Sequence, residues 1–415
     1  MRKVLSTLLL IVIGVALGGL AFEVVVRLFV PVSDPLWQWD SAVGVKLIPN
    51  LRGRAIRRGV YDASVEVNAD GFRDREHVRL KPPGATRLVL LGDSFIEAVQ
   101  VPFSSSIPSL LEARLRQHGI NAETINLGVS GAGTARQYLI LKHYGLKYRP
   151  DLVLLFFVGN DLSDNSQSLQ GLSYIPYPVP DSQGSLVRDQ AGRPLFTPFA
   201  DQTSRLGPVA ALLRHHSKGY RLVRQAIDAS PNIHQLLYQA RLMSTPPEPV
   251  TADPATFGFY EIYRDPYLHR WAEALSLTKD LLLEINALAT ENDSRFAVVL
   301  VPAAWEVYPR LWQQVLAQTP AMREASLDID KPSRLLASFL DAHHIPYISL
   351  LPEFRERAPT AAPLYIPSDA HWTTAGHALA AELLARRLPP LLDRTTSLAR
   401  VLTATETSRG RHANP

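Results

Sequence analysis

Ser94, His371 and Asp369 are the residue types from which an acyl-transfer catalyst is built. A serine hydroxyl is a poor nucleophile until a neighbouring imidazole takes its proton. His371 can act as that base, and Asp369 can hold the ring in one tautomer and balance the charge that develops on it. A separation of two residues does not align side chains on a helix. On an extended segment it does, because positions i and i+2 share a face, so an extended loop is expected at Asp369–His371. Thr373 or Thr374 then caps a helix beginning near Ala375. Negative charge forming on a carbonyl oxygen needs donors aimed at it. The candidates are the backbone N–H groups of Ser94 and Gly131 and the side-chain amide of Asn160. Glycine suits such a position because no Cβ obstructs the approach of substrate.

These residues follow segments that read as buried strands. Arg87 to Leu91, Glu123 to Ile125, Asp151 to Val158, Arg295 to Val301 and His344 to Leu350 are short apolar runs. Helical spacing occupies Ser106 to His118, residues 134–146 and Ala375 to Leu388. Strands alternating with helices predict an α/β fold with a parallel sheet covered on both faces. In such a sheet ligand sites gather at the carboxyl ends of the strands. There stand Gly92-Asp93-Ser94, the segment Asn126 to Gly133, Gly159-Asn160-Asp161, and Asp369-Ala370-His371-Trp372 just before the final helix.

Other candidates carry less chemistry. His377 lies inside the last helix and reads as a packing residue. Asp93 adjoins the serine and is expected to order its turn by accepting backbone hydrogen bonds. Gly128, Gly131 and Gly133 run G-x-x-G-x-G, the wrong order for a dinucleotide fingerprint. The pairs His215-His216 and His343-His344 have no carboxylate at ligand spacing, so no metal site and no cofactor are expected. Trp271, Trp305 and Trp312 fit core packing, with sugar stacking as the alternative.

The chain has 415 residues, 46% hydrophobic and 20% charged, which describes a folded protein long enough for a large core. A net charge of +4 without a basic stripe gives no footprint for nucleic acid. The absence of cysteine removes disulfides, thiolate metal sites and cysteine nucleophiles together. After Arg2 and Lys3 the chain is apolar to Phe22 and continues through Glu23 and Arg27 to Val30, the length of a single-pass anchor. Glu23 and Arg27 can pair one turn apart, and Trp37 and Trp39 suit the membrane–water boundary. Basic residues before the span predict an inner-membrane protein with a periplasmic body, the competing reading being a cleaved signal peptide. Residues 1–30 are thus read as anchor, 31–80 as a neck with a short hairpin, 81–392 as the catalytic domain, and 393–415 as a disordered tail. Inside the catalytic domain, 166–266 reads as an insertion over the sheet edge, a lid or partner surface, with one helical piece at Leu206–Ala229.

This combination resembles the SGNH hydrolases, also called the GDSL family. Ser94 stands in a GDS block, Gly131 in N-x-G-x-S-G, Asn160 in the asparagine block, and Asp369 with His371 in the terminal block. The resemblance implies a three-layer α/β/α fold and a serine esterase or acyltransferase. Two blocks depart from the pattern: the glycine before Asn160 is displaced by one place, and the terminal block is Asp-x-His instead of Asp-x-x-His. The latter form, followed by Trp372, is similar to membrane-associated members that act on exported polysaccharides, and the segment Val67 to Asp74 resembles anchored members. The expected activity is therefore that of a periplasmic esterase or O-acyltransferase on an acylated glycan, partnered by the membrane and by envelope polysaccharide machinery. A lipid-directed esterase or thioesterase, and a silent scaffold in an envelope assembly, are the alternatives.

Overall fold

A computed structural model of the chain describes residues 2–200, 207–228, 230–240, 242, 258–367 and 369–393. The tail expected to be disordered lies almost wholly outside the described residues. The chain divides into two compact units.

The larger unit comprises Trp37–Arg52, Ala63–Asp201 and Asp253–Pro415. Its centre is a sheet of five strands, β1 (Thr86–Leu91), β2 (Ala122–Asn126), β3 (Leu152–Phe157), β4 (Arg295–Leu300) and β5 (Tyr347–Ser349). They lie side by side in the order β2-β1-β3-β4-β5, and every pairing is parallel. Apolar residues fill consecutive positions because both faces are covered. Leu88, Leu90, Leu154 and Phe156 point into one core with the helices Ile107–Gln117 and Thr374–Arg387. Val89, Leu91, Val153 and Leu155 point into the other, beneath Thr134–His143, His269–Glu291 and Lys331–Ala342. This is the parallel sheet covered on both faces that the alternation of elements predicts, and the three-layer α/β/α arrangement the resemblance implies. The order reverses at β1, whose neighbours β2 and β3 follow it on opposite sides, and a crevice forms at the carboxyl end of such a strand.

The neck does not end at residue 80. The sheet unit already contains Ala63 onward, because the buried Arg73 donates to Val101 O at 2.6 Å and to Ala98 O. Asp74 Oδ2 accepts from Asn126 N at 2.7 Å. Arg52–Arg57 and Tyr61–Glu66 form a two-stranded sheet, whereas the Asn68–Gly71 turn follows it. Asn68 Oδ1 accepts from Asp70 N at 3.1 Å and Phe72 N at 3.0 Å, and Gly71 takes φ +84°. That turn sends Phe72, Arg73 and Asp74 into the core. Trp37, expected at a membrane boundary, donates its indole N–H to Glu97 Oε1 at 3.2 Å.

The smaller unit comprises Met1–Leu36, Gly53–Asp62 and Gln202–Ala252. Its first helix, Arg2–Phe29, contains a stretch, Lys3–Phe29, long and apolar enough to cross a membrane. The region 166–266 is thus not one insertion. Residues to 201 stay with the sheet unit, where Leu186 N donates to Asp280 Oδ2 at 2.9 Å and Arg188 pairs with Glu284. Beyond them the smaller unit holds the helices Gly207–His216, Lys218–Asp228 and Pro231–Gln239, and from Asp253 the chain is back in the sheet unit. The single helical piece expected at 206–229 is broken at Ser217, whose hydroxyl donates to Glu23 Oε2 at 2.7 Å.

Candidate active site

Ser94 opens the four-residue helix Ser94–Glu97 directly after β1, at the strand where the sheet order reverses. Asp93 caps this turn, its Oδ1 accepting from Phe95 N at 2.9 Å. That is the ordering role expected of it. The turn sits against the loop after β2 so closely that residue 128 has no room for a side chain. A Cβ at Gly128 would lie 2.6 Å from the Ile96 carbonyl carbon and closer still to Glu97 N.

His371 Nε2 lies 2.7 Å from Ser94 Oγ, and its Nδ1 is hydrogen-bonded to Asp369 Oδ1. The structure therefore brings serine, imidazole and carboxylate into one relay across 277 residues of sequence. The loop that carries the last two is not extended. Ala370 N donates to Ile366 O at 3.0 Å, Ile366 N to His371 O at 2.8 Å, and Ala370 takes the left-handed φ of +64°. A tight turn brings the two side chains together, and an alanine held there stores about 1 kcal/mol or more of backbone strain. The fully buried Trp372 holds the turn from below, its ring 5.0 Å from Phe95 and 5.5 Å from Phe354. Thr373 caps the following helix through Gly376 N at 3.3 Å.

Gly131 adopts φ +66°, with no heavy atom within 4 Å of where a Cβ would sit. Arg136 holds its carbonyl at 2.9 Å. Asn160 is not a free donor. Its Nδ2 donates to Asp93 Oδ2 at 3.1 Å and to Asp164 Oδ2 at 2.9 Å, so both amide hydrogens are engaged by carboxylates. The displaced glycine costs the backbone nothing, since Gly159 sits at an ordinary helical φ of −56°.

Sequence reasoning did not pick out the groups surrounding these residues. Asp161 and Asp164 join Asp93 in a buried carboxylate cluster around Asn160. Burial raises all three carboxyls, and it pushes Asp164 up to about 7, with the Asn160 hydrogen bond opposing it. Glu97, buried and raised for the same reason, accepts a hydrogen bond from Ser130 Oγ and so ties the Ser94 helix to the Gly131 loop. The signal was an acidic residue in an otherwise apolar turn, which reads equally well as a surface position. His377 is fully buried, its ring 5.5 Å from Trp372, and burial lowers it to about 3. It is the neutral packing residue expected.

Beside the relay lies a cleft of about 790 Å³, reaching Asp369 and Ala370. Tyr260, Trp305, Tyr308 and Gln314 are among its walls. Trp271 is buried with its indole N–H on Glu261, as a core residue, whereas Trp305 is half-buried at the cleft. Among the described residues no group of His, Asp and Glu is placed to hold a metal ion.

A parallel α/β sheet with a Ser–His–Asp relay at its switch point defines a class, the hydrolases that work through an activated serine. Residues 90–279 match the model of the GDSL-like Lipase/Acylhydrolase family. Ser94, Gly131 and Asn160 fall inside the matched segment, and Asp369 and His371 lie beyond it. An arylesterase of Vibrio mimicus is 37% identical over 75 residues, 18% of this chain. The match spans only 38% of the length of that relative. Solved structures similar in part include TesA, at 13% identity and TM-score 0.37 over 74% of this chain and 99% of that one. Another is a lipase/acylhydrolase from Enterococcus faecalis, at 16% identity and TM-score 0.33 over 73% and 95%.

Proposed function

We propose that this protein is a membrane-anchored serine esterase or O-acyltransferase of the bacterial envelope, with its sheet unit in the periplasm and an acylated glycan as substrate. The observation that carries the catalytic part is the 2.7 Å approach of His371 Nε2 to Ser94 Oγ, with Asp369 on the other ring nitrogen. Ser94 Oγ attacks the ester carbonyl carbon while His371 takes its proton, and Asp369 stabilises the imidazolium. The oxyanion is met by the N–H groups of Ser94 and Gly131. Collapse of the tetrahedral intermediate breaks the ester C–O bond, and His371 returns the proton to the departing alcohol oxygen. Water then releases the acyl group from Ser94 in an esterase, whereas a sugar hydroxyl accepts it in a transferase.

The glycan reading is supported by the cleft beside Asp369, where Trp305 and Tyr308 offer aromatic faces and Gln314 a hydrogen-bonding group to a ring rich in hydroxyls. The anchor reading is supported by the apolar helix Lys3–Phe29, most of whose large apolar side chains are exposed. That same helix favours a second reading, an esterase or thioesterase acting on lipid. The test of the catalytic assignment is fluorophosphonate labelling and p-nitrophenyl acetate turnover of the full chain in detergent, beside Ser94→Ala and His371→Ala. Both signals are expected to vanish in the two variants. Labelling or turnover that survives in Ser94→Ala rejects the assignment, and a folded wild-type protein that never labels turns the reading to a silent scaffold.

A further inference from the structure

The helices that follow Gln202 carry their apolar residues outward. On Gly207–His216, Val209, Leu212 and Leu213 are exposed at helical spacing i, i+3 and i+4, with Leu212 59% exposed. On Pro231–Gln239 the same is true of Ile233 and Leu236, the latter 64% exposed. Exposed apolar residues gathered on one face mark an interaction surface. Residues 207–228 also carry Arg214, Lys218, Arg221 and Arg224 against the single acidic Asp228.

The place where these helices join the first helix identifies the occupant. The Glu23 carboxylate accepts from Ser217 Oγ at 2.7 Å, Lys218 N at 2.9 Å and Gly219 N at 2.8 Å, while pairing with Arg27 at 2.7 Å. Arg27 also donates to His216 O. Gly219 permits this approach, since a Cβ there would lie 2.9 Å from Glu23 Oε2 and 3.0 Å from the Phe22 ring. Arg221 closes the break between the two helices, donating to His215 O at 3.2 Å and pairing with Asp34 at 3.3 Å. A bilayer core takes about 20 residues of helix. Counted from Val4, that core ends at the level of Glu23. The joint is therefore at the depth of the lipid headgroups.

We infer that the helices Gly207–His216 and Pro231–Gln239 form a bilayer-docking surface, their exposed leucines lying in the acyl boundary and Arg214 and Lys218 among the phosphates of anionic lipid. The inference rests on the anchor reading above. Amphipathic helices bury such a face about 5–10 Å into the headgroup–acyl boundary, and a Lys or Arg close to an anionic surface is drawn to it. Continuity with a spanning helix makes the bilayer the surface these residues meet first.

The chain contains no cysteine, so single spin labels can be placed without background. Full-length Leu212→Cys, Leu236→Cys, Leu10→Cys and Gln117→Cys would be labelled and reconstituted in nanodiscs of phosphatidylethanolamine and phosphatidylglycerol. Power saturation then compares collisions with oxygen and with a water-soluble nickel complex. Labels at 212 and 236 are expected to favour oxygen, at depths within about 10 Å of the phosphates. The label at 10 should lie deeper and that at 117 should favour nickel. If 212 and 236 resemble 117 while 10 is deep, the docking surface is wrong and the anchor stands. If 10 itself is open to nickel, the anchor reading fails and takes this inference with it. Shielding of 212 and 236 from both reagents means that protein covers them, a second copy or another chain, and overturns the proposal.

Discussion

The side-chain amide of Asn160 donates to Asp93 Oδ2 at 3.1 Å, tying the loop after β3 to the residue that starts the Ser94 turn. The second amide hydrogen meets Asp164 Oδ2 at 2.9 Å, so one neutral side chain separates two buried carboxylates. Asn160→Ala removes both bonds and leaves the carboxylates facing each other. Each lost hydrogen bond to a charged group is worth about 1.5–3 kcal/mol. The variant is expected to melt several degrees lower than wild type, with the deficit smaller at pH 5 than at pH 8, where more of the cluster is ionised. Calorimetry at the two pH values checks this, and an equal deficit at both would show that charge repulsion plays no part.

Asp164 makes stability depend on pH with a definite sign. Burial raises its carboxyl from 3.8 to about 7 in the folded state. The native protein therefore holds a proton that the unfolded chain has released, and this contribution is complete below pH 3.8 and lost as pH rises towards 7. Urea unfolding between pH 5 and 7 should show stability falling by up to about 1.4 kcal/mol per pH unit. Asp164→Asn should flatten that slope. A slope unchanged in the variant would assign the proton to another group.

In the proposed mechanism Asp369 holds His371 with Nε2 free to accept the Ser94 proton. Asp369→Asn keeps the shape and offers Nδ1 a neutral partner, favouring the wrong tautomer. The expected loss in kcat is on the order of 10⁴-fold, as for other triads of this kind, with little change in KM or melting temperature. Esterase kinetics at pH 7 to 9 provide the check, and a loss under tenfold would place the orienting group elsewhere.

Gly128 is where two loops of the site press together. Gly128→Ala places a methyl carbon against the Ile96 carbonyl carbon at 2.6 Å, so the Ser94–Glu97 helix and the loop carrying residue 128 must move apart. Stability should fall by about 1–3 kcal/mol, the usual cost of overpacking, and fluorophosphonate labelling should slow even where the variant remains folded. Labelling at the wild-type rate would mean that the serine is insensitive to this contact.

The cleft predicts a division of kinetic constants. Trp305→Ala should raise KM for an acetylated oligosaccharide by about 5- to 10-fold, the worth of one ring contact near 1–1.5 kcal/mol, and leave KM for p-nitrophenyl acetate within twofold. Because Trp305 Nε1 donates to Tyr263 OH at 2.6 Å, Trp305→Phe serves as control for the loss of that bond alone. Equal effects on both substrates would take the glycan out of this cleft.

Much of the site is legible in the chain because it is local. The turn Gly92-Asp93-Ser94 follows a strand whose five apolar or buried residues are consecutive, and Asp93 caps the helix two residues ahead. The Asp369–His371 pairing is also local, but its geometry was misjudged: spacing alone permits an extended segment, and the turn at Ala370 depends on bonds back to Ile366 and on Trp372 packed beneath. The roles of Glu97, Asp161 and Asp164 were invisible for a related reason. An acidic side chain is normally solvated, and only the fold decides that these are buried.

The amino-acid sequence by itself determined the strands, the helices between them, the parallel sheet and the residue types at its carboxyl end, because apolar runs and glycine turns act over a few residues. Tertiary structure alone decided which of those ends meet. It brought His371 to Ser94 across 277 residues, engaged both hydrogens of Asn160 with carboxylates, and drew residues 166–201 and Gln202–Ala252 into different units. It also gave Glu23 the backbone of Lys218 and Gly219 as partners. Such contacts depend on how whole elements pack, and a hydrogen bond between distant residues leaves no periodicity in either stretch of chain.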